Sequence, residues 1–399
     1  MTSPTSNLIL LENISLAADA QHLPPPAGSA RRIPSLDGLR GIAILVVFLH
    51  HYFEPTHSCF PGWAGVDLFF VLSGYLITGR LLATKGRPNY FSHFYRNRAL
   101  RIFPLYYGLI IPFFLAAWLL VRPVNQPHFT YYLQHWKSFF LFTQNWTFIF
   151  YGFPRNATLI PLWSLGVEEQ FYLFWPLVIL LTRDSATRLK LFSAGILLVL
   201  VLRTILYVSH PSGSLAGYYN TFLRMDSLMA GSLLCQLHRN ASTIRRSWVL
   251  AGIAASLALI VLSFIITGNV DSSNPFFGTV GYTVLAALFA GILHLAVQPG
   301  NSRLKAFLSM GFLRFCGRIS YCLYLIHVPV IIIIGSWISI NGARRWPEHA
   351  LLARWTALSV SIILSFGLSA LSYRYFEPIF QRLKKESATS SGTSSHTRY

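Results

Sequence analysis

Charge is scarce in this chain, and acidity is scarcer. Only 11% of its 399 residues are Asp, Glu, Lys or Arg, and 13 acidic residues stand against 32 basic ones. A sequence this poor in charge and 53% hydrophobic excludes an ordinary soluble globular domain. The formal net charge of +19 does not argue for nucleic acid, because that reading needs basic residues gathered on a water-facing surface, and here they sit between apolar runs. The four cysteines include no Cys-x-x-Cys pair, which removes the usual redox and zinc motifs and leaves them as small packing residues. The 13 histidines show no His-x-x-x-His or His/Cys spacing, so no metal is expected. No Gly-x-Ser-x-Gly elbow is present, and residues 1–30 lack the basic start and continuous apolar run of a signal peptide.

Long apolar runs are what the chain has in place of charge. Stretches of about 20 residues, the length that crosses a hydrocarbon core, fall near 36–55, 64–83, 104–121, 160–182, 189–208, 219–237, 248–267, 279–297, 318–338 and 352–376. The expected fold is an all-α, polytopic integral membrane bundle of about ten transmembrane helices, with no internal repeat. If the N-terminus is cytoplasmic, only Arg122, Lys137, Arg155, Arg344, Arg345 and Arg354 lie outside, while clusters such as Arg80–Arg101 and Arg374–Lys385 lie inside. The positive-inside rule then puts both termini in the cytoplasm, at the cell (inner) membrane. The aromatic stretch 131–149 would invert every later loop if it spanned, so it is read as an interfacial or re-entrant helix on the outer side. Residues 1–33 and 381–399 are too polar to pack and read as cytoplasmic tails around a membrane domain at 34–380.

One span is not built like a lipid-facing helix. "SLDGLRGIAILVVFLHHYF" carries Asp37, Arg40, His50 and His51, and each ionisable group in hydrocarbon costs ~2.5 kcal/mol or more. Eleven positions separate Arg40 from His51, three turns plus ~20°, so the two share one face about 16 Å apart, while His50 points ~80° away. A cation and an imidazole on one face suggest a polar channel through the bundle. Asp37, in the first turn, suits the helix dipole and can pair with Arg40.

The residues that continue this pattern resemble the membrane acyltransferase-3 family. The likeness runs from about Pro34 to Pro378 and rests on "LDGLRGIAILVVFLHH", "GVDLFFVLSGYLI", "FYRNRALRIFPLYY", "LWSLGVEEQFYLFWP", "RMDSLMAG", "ISYCLYLIHVP" and "YFEP" in order. The resemblance implies transfer of an acyl group, often acetyl, to hydroxyls of cell-surface glycans and other acceptors. It implies further that His51 is catalytic and that Arg40, Arg98 and Arg101 handle the donor. Some members carry an extra periplasmic hydrolase-like domain, which the residues after the tenth span are expected to be too few to hold.

Physical chemistry supplies a matching route. The phosphates of acyl-CoA would stay near cytoplasmic cations while its slender arm enters the protein; Arg98 and Arg101, three apart on an amphipathic helix, can face one phosphate-bearing ligand. The same two arginines suit a topology signal that binds anionic lipid. An imidazole can deprotonate the acceptor hydroxyl or carry the acyl group itself. Asp67, near the depth of His51, could hold its tautomer like a triad acid or compensate a helix dipole. Glu168 and Glu169 lie deeper, and one of them, Glu168 by preference, is expected to pair with Arg40 or Arg224. His327 could line the cavity or be a lone hydrogen-bonded bundle histidine; Arg224, Asp226 and Glu377 read as ion-pair partners, and Ser73 and Gly74 as packing residues. The expected partners are the bilayer, acyl-CoA, and a glycan, lipid-linked saccharide or similar hydroxyl acceptor, with no tightly bound cofactor and no nucleic acid. The rival reading is a proton-coupled exporter with His51, Asp67 and Glu168 as its relay, although no symmetric halves with broken helices are evident.

Overall fold

A computed structural model of the chain describes residues 33–52, 61–121, 127–210, 214–380 and 382–383. The expected tails lie outside the described residues apart from Ile33, Arg382 and Leu383, and so does Cys59. Among the described residues the regular structure is helical, with no strand. Ten long helices follow one another: α1 Pro34–Tyr52, α2 Gly65–Thr84, α3 Tyr90–Ala116, α4 Trp163–Leu181, α5 Ser185–Ser209, α6 Met225–Arg239, α7 Arg246–Thr267, α8 Tyr282–Val297, α9 Gly311–Val330 and α10 Ala350–Leu371. In hydrocarbon every backbone N–H and C=O must be satisfied within the element, which is why apolar runs of this length fold as helices.

Among the described residues, eight stretches of helix are long and apolar enough to cross a membrane. The two expected spans that fall short are α1, whose hydropathy is diluted by Asp37, Arg40, His50 and His51, and α6, which has 15 residues. Both are central. α1 packs mainly on α9 and α2, and α6 mainly on α2 and α5. Their polar side chains therefore face protein rather than lipid, where intramembrane charge is tolerated.

Small residues bring these helices together. A Cβ on Gly317 would sit 1.8 Å from the Asp37 carbonyl oxygen and one on Gly41 2.0 Å from that of Leu313, so α1 and α9 touch backbone to backbone. Gly74 and Gly231 do the same for α2 and α6, at 1.9 Å from Leu228 O and 2.0 Å from Val71 O. Such approaches supply the dispersion contact that drives helix association where the hydrophobic effect is weak.

The 131–149 stretch contains no crossing helix. It forms Pro127–Gln134, Trp136–Phe140 and Gln144–Tyr151, none longer than eight residues. Part of it packs into the protein: Tyr132, Phe139, Gln144 and Asn145 are buried. Tyr106 and Tyr107 of α3 donate to the Phe139 and Phe140 carbonyls, and Asn145 is tied to Gln170 of α4 and to Thr221. The tyrosine hydroxyls thus satisfy carbonyls at the end of Trp136–Phe140, and the Asn145 bonds tie the stretch to α4 and to Thr221.

Candidate active site

The nine residues expected to carry function fall into three groups. The first gathers around the Pro34 end of α1. Arg40 lies within electrostatic reach of Arg101, Asp37, Tyr172 and Glu168; Arg98 senses Arg101, Arg80 and Glu169. Glu168 accepts from Ser73 Oγ at 2.9 Å and from Tyr172 Oη at 2.9 Å, and the two hydroxyl oxygens lie 3.2 Å apart. The Arg98 guanidinium stacks 5.3 Å from the centroid of Tyr172. Glu168 thus sits among the arginines, held by hydroxyls rather than by a direct salt bridge. Asp37 lies 3.9 Å from Arg318 of α9. With Arg80 included, five guanidiniums (Arg40, Arg80, Arg98, Arg101 and Arg318) and three carboxylates (Asp37, Glu168 and Glu169) gather here, an excess of positive charge suited to a polyanionic ligand.

Tyr172 follows Glu168 by one helical turn, so the i,i+4 rule alone could have put it on the same face. Nothing in the sequence names Ser73, 95 residues before Glu168, as its partner.

The second group lies at the other end of α1. The Nδ1 atom of His51 is 2.9 Å from the Val47 carbonyl oxygen and 3.3 Å from Nε2 of His327 on α9. His327 is fully buried, and its Nδ1 is 3.0 and 2.9 Å from the Leu323 and Tyr324 carbonyls. His51 opens onto a cavity of about 180 Å³ lined by His50, Trp63, Trp163, Tyr218, Tyr219 and Tyr324, among others. His50 shares this cavity despite its offset on the helical wheel. Tyr324 Oη donates to the Pro161 carbonyl at 2.7 Å and lies 2.5 Å from Ser164 Oγ, which fixes one wall. Aromatic faces interrupted by polar edges are a common way to receive a sugar, whose ring has apolar faces and hydroxyl rims.

The third group is a pair. Instead of holding His51, Asp67 Oδ1 accepts from Arg224 Nη2 at 2.8 Å and from Ser227 Oγ at 2.9 Å, with both charged side chains fully buried. The triad-like contact expected of Asp67 is replaced by this ion pair because Arg224 is delivered to it by the close α2–α6 packing. Arg224, expected to attract Glu168, also lies 3.9 Å over the ring of Tyr282 and 5.1 Å from that of Tyr218. The pair therefore backs the aromatic wall of the cavity. Asp226 pairs in turn with Arg203 of α5 at 2.8 Å, again fully buried. Arg203 escaped sequence reading because no local pattern marks a lone arginine in an apolar run as a buried partner rather than a boundary signal.

Among the described residues no three His, Cys, Asp or Glu side chains come together as a metal site would need. Cys235, Cys316 and Cys322 are buried and free.

A helical bundle with charge and imidazoles gathered inside it defines a multi-pass membrane protein with an interior polar site. Residues 33–374 match the acyltransferase domain family of the membrane acyltransferase-3 type, and the chain belongs to it. It is 31% identical over 369 residues to the peptidoglycan O-acetyltransferase OatA of Listeria monocytogenes, a match covering 88% of this chain and 56% of that protein. The O-acetyltransferase OatA of Staphylococcus aureus is 28% identical over 368 residues, with 88% and 57% covered. The chain spans about half the length of these curated relatives. No solved structure matches it.

Proposed function

We propose that this chain is an integral membrane O-acyltransferase that moves an acetyl group from acyl-CoA to a hydroxyl of an envelope glycan, with His51 as the general base. The observation that carries the reading is the division of labour along α1: an arginine cluster around Arg40 at one end, and an imidazole opening onto an aromatic cavity about 16 Å away along the same axis. The donor's phosphates bind Arg40, Arg98 and Arg101, and its thioester is carried toward His51. His51 takes the proton of the acceptor hydroxyl as the oxygen attacks the thioester carbonyl carbon. The carbon–sulfur bond then breaks, the thiolate leaves with the proton returned by the imidazolium, and the products are the ester and free CoA. The relatives' printed names favour acetyl as the acyl group and peptidoglycan as the acceptor class. In this reading both termini and the arginine cluster lie on the cytoplasmic side of the cell membrane, where acyl-CoA is available, and Asp67 and Arg224 serve to hold the cavity wall.

The test is the ester-linked acetate released by mild alkali from envelope glycans of cells expressing the wild-type chain or His51→Ala at matched levels, alongside acyl-CoA turnover by the purified protein. Acetate and turnover that depend on His51 are expected. Turnover unchanged in His51→Ala would overturn the assignment of the base, and absence of any turnover by the wild type would overturn the enzyme reading in favour of a transporter.

A further inference from the structure

The hydrogen bonds that join His51 and His327 to each other and to the backbone admit one arrangement of protons on the three nitrogens they involve. A backbone carbonyl can only accept, so His327 Nδ1, facing the Leu323 and Tyr324 carbonyls at 3.0 and 2.9 Å, must carry a hydrogen. His51 Nδ1, 2.9 Å from the Val47 carbonyl, must carry one for the same reason. The remaining contact, His51 Nδ1 to His327 Nε2 at 3.3 Å, then has its hydrogen on His51. A hydrogen on His327 Nε2 as well would set two N–H groups against each other in a fully buried place. His327 is therefore neutral with a bare Nε2, and the His51 N–H is shared between Val47 O and His327 Nε2. In neutral His51 the lone pair belongs to Nε2.

We infer that His327 is a positioning residue that fixes the tautomer and ring plane of His51, so that Nε2 of His51 is the atom that meets the acceptor hydroxyl. The inference rests on the acyltransferase reading and deepens it. It gives a neutral imidazole the orienting task that a carboxylate performs in a serine-hydrolase triad. Among the described residues, titratable groups that face the pair include His50, whose ring centroid is 5.4 Å from that of His51, Tyr324, 5.8 Å from that of His327, and Tyr52, whose hydroxyl reaches the His327 carbonyl at 3.5 Å.

The experiment pairs spectroscopy with kinetics on the full chain in lipid. In protein labelled with 15N and 13C at histidine, at pH about 8 where an ordinary imidazole is neutral, the His51 signals, identified by their loss in His51→Gln, should report the Nδ1–H tautomer. In His327→Phe, which keeps a ring but offers no acceptor, kcat should fall about 10- to 100-fold with the donor KM within about twofold. That is less than the ~10⁴ lost when a triad loses its orienting carboxylate, because Val47 still accepts. His327→Gln, whose amide oxygen can accept near the place of Nε2, should recover most of the rate. A wild-type His51 in the Nε2–H tautomer overturns the inference whatever the variants do. Equal rates in His327→Phe and His327→Gln with the wild-type elution profile overturn it too, because a purely structural role would not separate them. If His327→Phe does not fold, the wild-type tautomer alone decides. Activity that survives His51→Ala defeats the function reading itself, a result distinct from a His51-dependent enzyme indifferent to His327.

Discussion

Asp67 shows how far a residue's type and depth can mislead without its neighbour. Its position invites a catalytic reading, yet its carboxylate is committed to Arg224 and Ser227, and removing one member of a buried ion pair costs ~3–5 kcal/mol by leaving a charge uncompensated. Asp67→Ala should therefore lower the thermal midpoint of the purified protein sharply, and Asp67→Leu combined with Arg224→Met should regain much of the loss. An Asp67→Asn protein that keeps its thermal midpoint but loses all turnover would instead return Asp67 to the reaction. Glu168 makes the complementary case: it falls among the arginines as expected, but its direct partners are the hydroxyls of Ser73 and Tyr172. Periodicity could align Arg40 with His51 because both lie on one helix. It could not find His327, 276 residues away, because facing across a helix pair leaves no trace in either sequence alone.

Helices were more legible than their partners. Apolar length marked the ten long helices, although eight helical stretches among the described residues are long and apolar enough to cross a membrane, and 127–151 breaks into three short helices, as Ser214–Tyr219 and Arg303–Leu308 also form short ones. Hydropathy alone undervalues α1 and α6 because it treats polarity as a defect, whereas here polarity marks the faces turned toward other helices; for α1 the shared face of Arg40 and His51 already pointed there, for α6 nothing did. The glycines that seat these helices make a sharper statement. Gly231→Leu places side-chain atoms where the Val71 carbonyl already lies 2.0 Å from a Cβ, and overpacking of this kind costs ~1–3 kcal/mol or more. Gly108→Leu, on a helix where a Cβ meets nothing within 4 Å, is the control. A thermal-shift series in detergent should separate the two by several degrees; equal shifts would remove the packing argument for α2 and α6.

Across the whole molecule the proposed reaction asks two distant places to serve one substrate pair. If acyl-CoA enters from the arginine side, saturating donor should protect Arg98 and Arg101 from an arginine-modifying reagent, read by peptide mass mapping. Protection confined to residues around the aromatic cavity would overturn the route. The backbone contact of α1 with α9 carries a further consequence, for how the protein is made. At ~5–20 residues per second, on the order of 10–60 s of synthesis separate His51 from His327. During that interval α1 has entered or approached the bilayer with Arg40 and His51 exposed and the helix that covers them not yet translated. A span that carries Asp37, Arg40, His50 and His51 thus reaches the bilayer well before the helix that shelters it, so ribosome-bound chains stopped before Gly311 should hold α1 at the insertion machinery, crosslinkable there, and release it only once α9 has arrived.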